Sequence, residues 1–323
     1  MKIGIVGAGN IVPDFLEASK NIEDFEIVSI SATENGRERM KKLSEKYGIK
    51  NIYTNYEDLL NDDIDVVYIA IPNSLHYEFA KKAIERNKHI ILEKPFTTTY
   101  KEAEELVELA QEYGIMLFEA ISNQYLPNYE KTKELISELG DIKIVQLNYS
   151  QYSSRYDRFK NGDIAPAFDP KKSGGALMDL NVYNIYYIVG LFGSPQKILY
   201  TANIERNIDT SGVLVLDYGS FKCVAVGAKD CKAPLSMNIQ GDKGYINSSD
   251  AANMYNKFTF AKNDGTEKVF ELNGGKERLY HELVKFAEYY KNEDFDKFYE
   301  ANEKSLIVMK ILEEARKQAG LEF

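Results

Sequence analysis

Two patterns of apolar and polar positions divide the chain. Up to about residue 120, short apolar runs alternate with stretches whose apolar residues recur every three or four positions. Lys2–Val6, Glu26–Ala32, Asp65–Ile71, His89–Leu92 and Ile115–Glu119 read as strands. Asp65–Ile71 (DVVYIAI) is nearly all apolar, as expected of a strand buried on both faces. Helical stretches separate them: about Asn10 to Asn21, then Arg37–Tyr47 closed by Gly48. A third follows Ser74, its expected cap, with Leu75, Phe79, Ala80, Ala83 and Ile84 on one face. A fourth opens on the capping box Thr99-x-x-Glu102 and runs to Tyr113 before Gly114. Strands alternating with helices of this length imply a parallel sheet covered by helices on both faces.

The second pattern is strand-rich. Ile142–Tyr152 alternates, and a long polar loop and one helix, about Gly175–Phe192, follow it. Then come Lys197–Ile204, Gly212–Asp217, Phe221–Ala228, Leu235–Gln240 and Lys257–Ala261, punctuated by Asp217-Tyr-Gly219 and Gly241-Asp-Lys-Gly244. Strands joined by tight turns favour an antiparallel sheet. Two helical segments, about Lys276–Lys291 and Asn302–Ala319, finish the chain. With no repeat or low-complexity linker, the boundary is the change of pattern near residues 120–125. The expected architecture is an α/β doubly wound parallel sheet over residues 1–121. An open, mostly antiparallel α+β domain with helices on one face follows over residues 122–323.

Composition narrows the class. A length of 323 residues suits about two domains, and 44% hydrophobic with 28% charged residues is ordinary globular composition. Fifty acids against 40 bases give a net charge of -10, which argues against a nucleic-acid partner. No apolar run approaches the roughly 20 residues of a membrane span, and MKIGIVGAGN lacks the basic start and long apolar core of a signal peptide. Cys223 and Cys231 suit a reducing compartment, so the expected location is cytoplasmic. The three histidines, His76, His89 and His281, form no metal-ligand pattern.

Chemistry enters at the end of the first strand. In Gly7-Ala8-Gly9 a Cβ would hold a pyrophosphate away from the backbone, and the following helix N-terminus, beginning about Asn10 and Ile11, offers free N–H groups. Strand before and helix after is the context that a dinucleotide fingerprint requires, although Val12 stands at the third glycine position. An acid ending the second strand would select NAD. That strand instead ends Ser29-Ile30-Ser31-Ala32-Thr33, with Glu34 late and Arg37 one turn on. Ser31, Thr33 and Arg37 can hold a 2′-phosphate, which leans the expectation from NAD to NADP. Glu93-Lys94-Pro95 follows a buried strand at the carboxyl edge of the sheet, where ligands of open α/β sheets bind.

The sequence resembles the Gfo/Idh/MocA oxidoreductases, named after glucose-fructose oxidoreductase and inositol dehydrogenase. The resemblance rests on Gly7-Ala-Gly9-Asn10-Ile11, Ile71-Pro72-Asn73-Ser-Leu-His76, His89-Ile-Ile-Leu-Glu93-Lys94-Pro95 and Gly174-Gly175-Ala-Leu-Met-Asp179-Leu-Asn-Val-Tyr183. It implies a Rossmann domain, then an open-sheet domain, with nicotinamide and substrate in the cleft between them. Pro72, Asn73 and His76 match the segment that lines the cofactor. Glu93 and Lys94 match a Glu-Lys-Pro motif whose lysine approaches both nicotinamide and substrate, with the Lys-Pro bond often cis. Many members carry histidine as acid/base where this chain has Tyr183, and glycine where it has Asn181. Tyrosine at that position resembles the glucose-fructose oxidoreductase, xylose dehydrogenase and dimeric dihydrodiol dehydrogenase branches. A phenol can serve there when a nearby ammonium, such as that of Lys94, favours the phenolate.

The implied activity is an NAD(P)-dependent oxidation or reduction at a carbinol or carbonyl carbon of a sugar, polyol or diol. Tyr183 would be the acid/base, Lys94 the stabiliser of negative charge, and Asp179, four residues earlier, the group that orients substrate or Lys94. Asn123, Arg155, Tyr156 and Asp169 are polar loop residues that could reach the cleft. A non-catalytic dinucleotide-binding regulator would need neither Lys94 nor Tyr183. A glycosidase using NAD transiently would release free sugar without net cofactor reduction. In the second domain, Val213 and Val215 alternate with Leu214 and Leu216, and Val224 and Val226 flank Ala225. Strands apolar on both faces imply a homo-oligomer, most simply a dimer, through the second-domain sheet, unless the terminal helices cover that face.

Overall fold

The computed structural model describes residues 1–321 and forms two compact units. The first contains β1 (Lys2–Val6), α1 (Val12–Ser19), β2 (Glu26–Ser31), α2 (Arg37–Tyr47), β3 (Asn51–Tyr53), α3 (Tyr56–Leu60), β4 (Val66–Ile69), α4 (His76–Glu85), β5 (His89–Glu93), α5 (Tyr100–Glu112) and β6 (Leu117–Ala120). Its six strands pair in parallel in the order β3-β2-β1-β4-β5-β6. The order reverses between β1 and β4, so the carboxyl end of β1 opens onto the crevice where doubly wound sheets bind ligands. β4 is buried at every position, as its unbroken apolar run requires. The capping box is present: Glu102 N–H donates to Thr99 Oγ1, and the Glu102 carboxylate accepts from Thr99 N–H. Ser74 does not cap α4. It lies in a short 3₁₀ turn, Asn73–Leu75, and α4 starts without a side-chain cap.

The second unit contains α6 (Pro127–Leu135), β7 (Ile142–Ser150), α7 (Tyr156–Lys160), a π-helical turn (Leu177–Asn181) and α8 (Val182–Phe192). Seven more strands follow: β8 (Lys197–Glu205), β9 (Ile208–Asp217), β10 (Lys222–Ala228), β11 (Ser236–Gly241), β12 (Gly244–Ser248), β13 (Phe258–Lys262) and β14 (Glu267–Phe270). The eight strands run in the order β14-β13-β12-β11-β7-β10-β9-β8, antiparallel except for β7 beside β10. One face is core: Leu214, Leu216, Cys223 and Ala225 are fully buried. The opposite face leaves Leu199 61% and Val213 42% exposed, with Val215 and Val224 half-buried beside them.

The chain ends with α9 (Tyr280–Lys291) and α10 (Phe295–Gln318). The break between units falls after Ala120, but Glu277–Leu306 belongs to the first unit, which corrects the assignment of all of 122–323 to the second. The cause is aromatic packing. Phe286 stacks on Phe118 of β6 and Phe298 packs tilted against it, with ring centroids 3.8 and 3.9 Å away, and burial of such rings dominates core energetics. Among the described residues, no helix is long and apolar enough to cross a membrane.

Candidate active site

In the first unit the site is built around the end of β1. Gly7 has φ +108°, and a Cβ there would sit 2.1 Å from the Ala70 carbonyl oxygen, so only glycine closes this turn. Its N–H donates to Ser31 O at 2.8 Å, which fastens the turn to β2. Gly9 differs: a Cβ there would meet nothing nearer than Ala70 O at 3.8 Å. Packing does not demand glycine at that position, and the space it leaves adjoins the uncapped start of α1. This is the cradle that a pyrophosphate fills, so the residues fit a dinucleotide. Asn10 is exposed, Ile11 half-buried and Val12 fully buried.

At the end of β2, Thr33 and Arg37 are exposed, and Arg37 Nη1 pairs with Glu34 at 3.2 Å. Ser31 is 3% exposed. It closes a strand whose last three residues are buried. Arg39, which sequence reasoning missed, reaches back to the glycine turn and donates from Nη2 to Asn10 Oδ1 at 2.9 Å. Its place in the first turn of α2, two residues beyond Arg37, is the signal that could have found it.

Pro72 and Asn73 are half-buried after β4. His76 is fully buried, so it cannot line a cofactor surface. Its Nδ1 lies 2.9 Å from Pro95 O and its Nε2 3.1 Å from Ile71 O, so the ring ties the loop after β4 to the Glu-Lys-Pro step. Burial pushes its pKa down, against the pull of those carbonyls. Glu93 likewise faces inward. Tyr68 Oη donates to its Oε1 at 2.7 Å, and burial pushes the carboxyl up. Lys94 is half-buried and joined to Pro95 by a cis peptide bond. Of the expected residues in this unit, Gly7, Gly9, Asn10, Ile11, Pro72, Asn73 and Lys94 line the loops at the carboxyl edge of the sheet. Ser31, His76 and Glu93 support those loops from inside.

In the second unit the site is the π turn and the start of α8. Ser173, in left-handed conformation, leads into Gly174-Gly175. A Cβ on Gly175 would strike Asp209 Oδ1 at 2.0 Å, because the Asp209 carboxylate occupies the head of the helix. Asp209 Oδ2 accepts from Leu177 N–H at 2.6 Å and from Tyr200 Oη at 2.9 Å. Burial raises the Asp209 carboxyl to about 6. The α-helical spacing expected of Asp179 and Tyr183 gives way to the π turn that carries Asp179, a departure that often marks functional sites. Asn181 donates to Ala225 O at 3.1 Å, and Asn184 donates to Val226 O at 3.1 Å. Both side chains pin the helix to β10.

Asp179 keeps 34% of its side chain exposed and pairs with Lys229 Nζ at 2.8 Å. Tyr183 is 4% exposed, and its carbonyl accepts from Asn123 Nδ2 at 2.7 Å. Asn123 is therefore a buried brace and not a loop residue reaching for ligand. Tyr156 also differs from expectation. It packs in a core with Phe159, Phe168 and Ile208, donates to Glu205, and is pushed up to about 12 by that bond and by burial. Asp169 caps its own turn, accepting from Lys171 N–H at 3.0 Å, and Arg155 is half-buried at the start of α7. Sequence reasoning missed Asp209 and Lys229, which lie on and after strands distant in sequence.

Two family models match this chain. Residues 1–121 match the family model described as an oxidoreductase family, NAD-binding Rossmann fold, and residues 129–247 match the GFO/IDH/MocA C-terminal domain. The chain is 32% identical to scyllo-inositol 2-dehydrogenase (NADP(+)) IolU of Bacillus subtilis, over 99% of this chain and 98% of that one. It is 27% identical to a trans-1,2-dihydrobenzene-1,2-diol dehydrogenase of Xenopus tropicalis, over 84% and 81% of the two chains. Among solved structures, KijD10, a 3-ketoreductase from Actinomadura kijaniata in complex with NADP and TDP-benzene, superimposes with a TM-score of 0.86. That match has 22% identity over 99% of this chain and 98% of the other, and shows the shared fold.

Proposed function

The chain belongs to the GFO/IDH/MocA oxidoreductases, enzymes that use NAD(P), and from that premise we propose that it oxidises a carbinol of a polyol, sugar or diol, or reduces the matching carbonyl, with NADP. One observation carries the reading. A single chain combines a Cβ-free turn at Gly9, open to a pyrophosphate, with a π turn that offers a partly exposed carboxylate four residues before Tyr183. The bound nicotinamide supplies hydride exchange at the carbon that bears the oxygen. Lys94 stabilises negative charge as it develops on that oxygen. Tyr183 Oη takes the hydroxyl proton in oxidation and returns it in reduction. Asp179 accepts a hydrogen bond from a neighbouring hydroxyl, which suits substrates with adjacent hydroxyl groups.

NADP is favoured because no acid ends β2 and Arg37 and Arg39 stand at its mouth. The Arg37–Glu34 pair is an exposed one, of the kind worth about 0–1 kcal/mol, so it leaves the guanidinium available to a phosphate. A cytoplasmic setting suits the free thiols Cys223 and Cys231. A two-fold dimer follows from the open sheet face, where Val213 stands opposite Val226 and Val215 opposite Val224. Light scattering checks it: wild type runs at twice 36.8 kDa and Val213→Glu at the mass of one chain.

The function is tested by absorbance of reduced nicotinamide with NADP⁺ and NAD⁺ against scyllo-inositol, myo-inositol, xylose and a trans-dihydrodiol. Turnover of at least one, faster with NADP⁺, is expected. No turnover with any, or release of free sugar from glycosides without net reduction, contradicts it.

A further inference from the structure

We propose that Lys229 is a positioning residue for the reaction, fixing the Asp179 carboxylate from behind and locking the 165–173 loop to the helix that carries it. The inference rests on the role given to Asp179 above. Lys229 follows the end of β10, and its backbone is held on both sides: its N–H donates to Thr210 O at 2.8 Å, and its carbonyl accepts from Ser153 N–H at 2.9 Å. The stem runs inward, leaving 3% of the side chain exposed. Lysine is almost never buried unless paired, because removing an ammonium from water costs several kcal/mol. Here Nζ has three partners. It donates to Asp179 Oδ2 at 2.8 Å and to Ala167 O at 2.6 Å, and it lies 4.4 Å from the centre of the Phe168 ring.

The exposures assign the roles. With 3% against 34%, Lys229 is closed off from any ligand while Asp179 can meet one. The ammonium therefore acts through Asp179. Its second and third partners, Ala167 and Phe168, belong to the turn that packs on Gly174, where a Cβ would meet Pro166 O at 2.8 Å. One cation thus sets both the direction of the carboxylate and the position of the loop before the double glycine.

The test is a double-mutant cycle of Lys229→Met and Asp179→Asn, read with whichever polyol or diol turns over fastest in the panel above. Lys229→Met is expected to lower kcat/KM by up to about 10²-fold, the usual cost of a misplaced group, chiefly through KM. NADPH affinity by fluorescence titration stays unchanged. In the Asp179→Asn background the same change adds little. Losses that multiply, or a Lys229→Met enzyme with wild-type kcat/KM beside a defective Asp179→Asn, overturn the role of Lys229 alone. A wild-type Asp179→Asn overturns the role of Asp179 itself. If Lys229→Met does not fold, Lys229→Gln, which keeps a donor, carries the same cycle.

Discussion

The two units hold their candidate residues with different materials. In the first unit the groove is backbone: the Gly7 N–H on Ser31 O, the space left at Gly9, and two main-chain carbonyls bridged by His76. In the second unit the π turn and α8 are held by buried side chains from far along the chain. Asp209 takes Leu177 N–H, Lys229 takes Asp179, Asn123 takes the Tyr183 carbonyl, and Asn181 and Asn184 reach carbonyls of β10. A backbone groove depends on few side chains and suits a ligand that is the same throughout a family. A side-chain scaffold can be changed residue by residue, which suits the half that must meet different substrates. It is also the more fragile half, because each lost partner leaves a buried polar group unpaired at a cost of about 1–3 kcal/mol.

Four experiments sharpen or break this contrast. The largest effect is expected from Lys94→Met, which removes the charged group proposed to act on the reacting oxygen. Turnover should fall on the order of 10²–10³-fold, as for loss of comparable electrostatic stabilisation, with NADPH affinity nearly intact. Unchanged turnover would reduce the first unit to a binding module. Tyr183→Phe comes next. It should lower kcat by about 10²-fold, within the usual range for a general acid/base, and change the pH–rate profile while the melting temperature holds. A wild-type profile would make Tyr183 a packing residue of α8.

The glycine pair separates folding from binding. Gly7→Ala forces a Cβ against Ala70 O at a left-handed φ and should cost roughly 1–3 kcal/mol of stability, seen as a lower melting temperature. Gly9→Ala meets no protein atom within 3.4 Å, so it should melt like wild type and bind NADPH several-fold more weakly. Equal behaviour of the two would erase the distinction between a structural and a ligand-facing glycine. The smallest effect is expected from Asp209. Its carboxyl is raised from 3.8 to about 6 by burial, so the folded protein holds this proton more tightly than the unfolded chain. Its contribution to stability is fully present below pH 4 and lost as pH rises through about 6. Asp209→Asn should flatten that part of the stability–pH curve, and an unchanged slope would assign it to other groups.

This contrast also explains what was legible in the sequence. Gly7, Gly9 and Lys94 announce themselves because a strand, a tight turn and a helix are contiguous, and the alternation of residues 1–120 specifies the parallel sheet. Ser31 is singled out by its place at the end of β2, His76 and Glu93 by the family resemblance and Tyr156 as a polar loop residue, but residue type does not say which way a side chain faces, and all four are buried. Asp209 and Lys229 carried no local signal. Their partners are set by the register of β9 and β10 against each other and by the packing of the helix on them. β12 and β14 escaped notice because their polar and charged residues read as turns, and α6 because Asn128 and Thr132 sit on its buried side. The return of Glu277–Leu306 to the first unit depends on Phe118 meeting Phe286 and Phe298, a pairing with no counterpart in local pattern.

The central claim is that this chain moves a hydride directly between a carbinol carbon and nicotinamide. It is tested most directly with a substrate deuterated at the carbinol carbon, incubated with NADP⁺ and followed by mass spectrometry of the reduced cofactor. The account predicts one deuterium in each reduced nicotinamide, in protonated water and with wild-type enzyme, and strongly slowed labelling with Lys94→Met. Reduced cofactor without the label, or label that washes out into water, would contradict it.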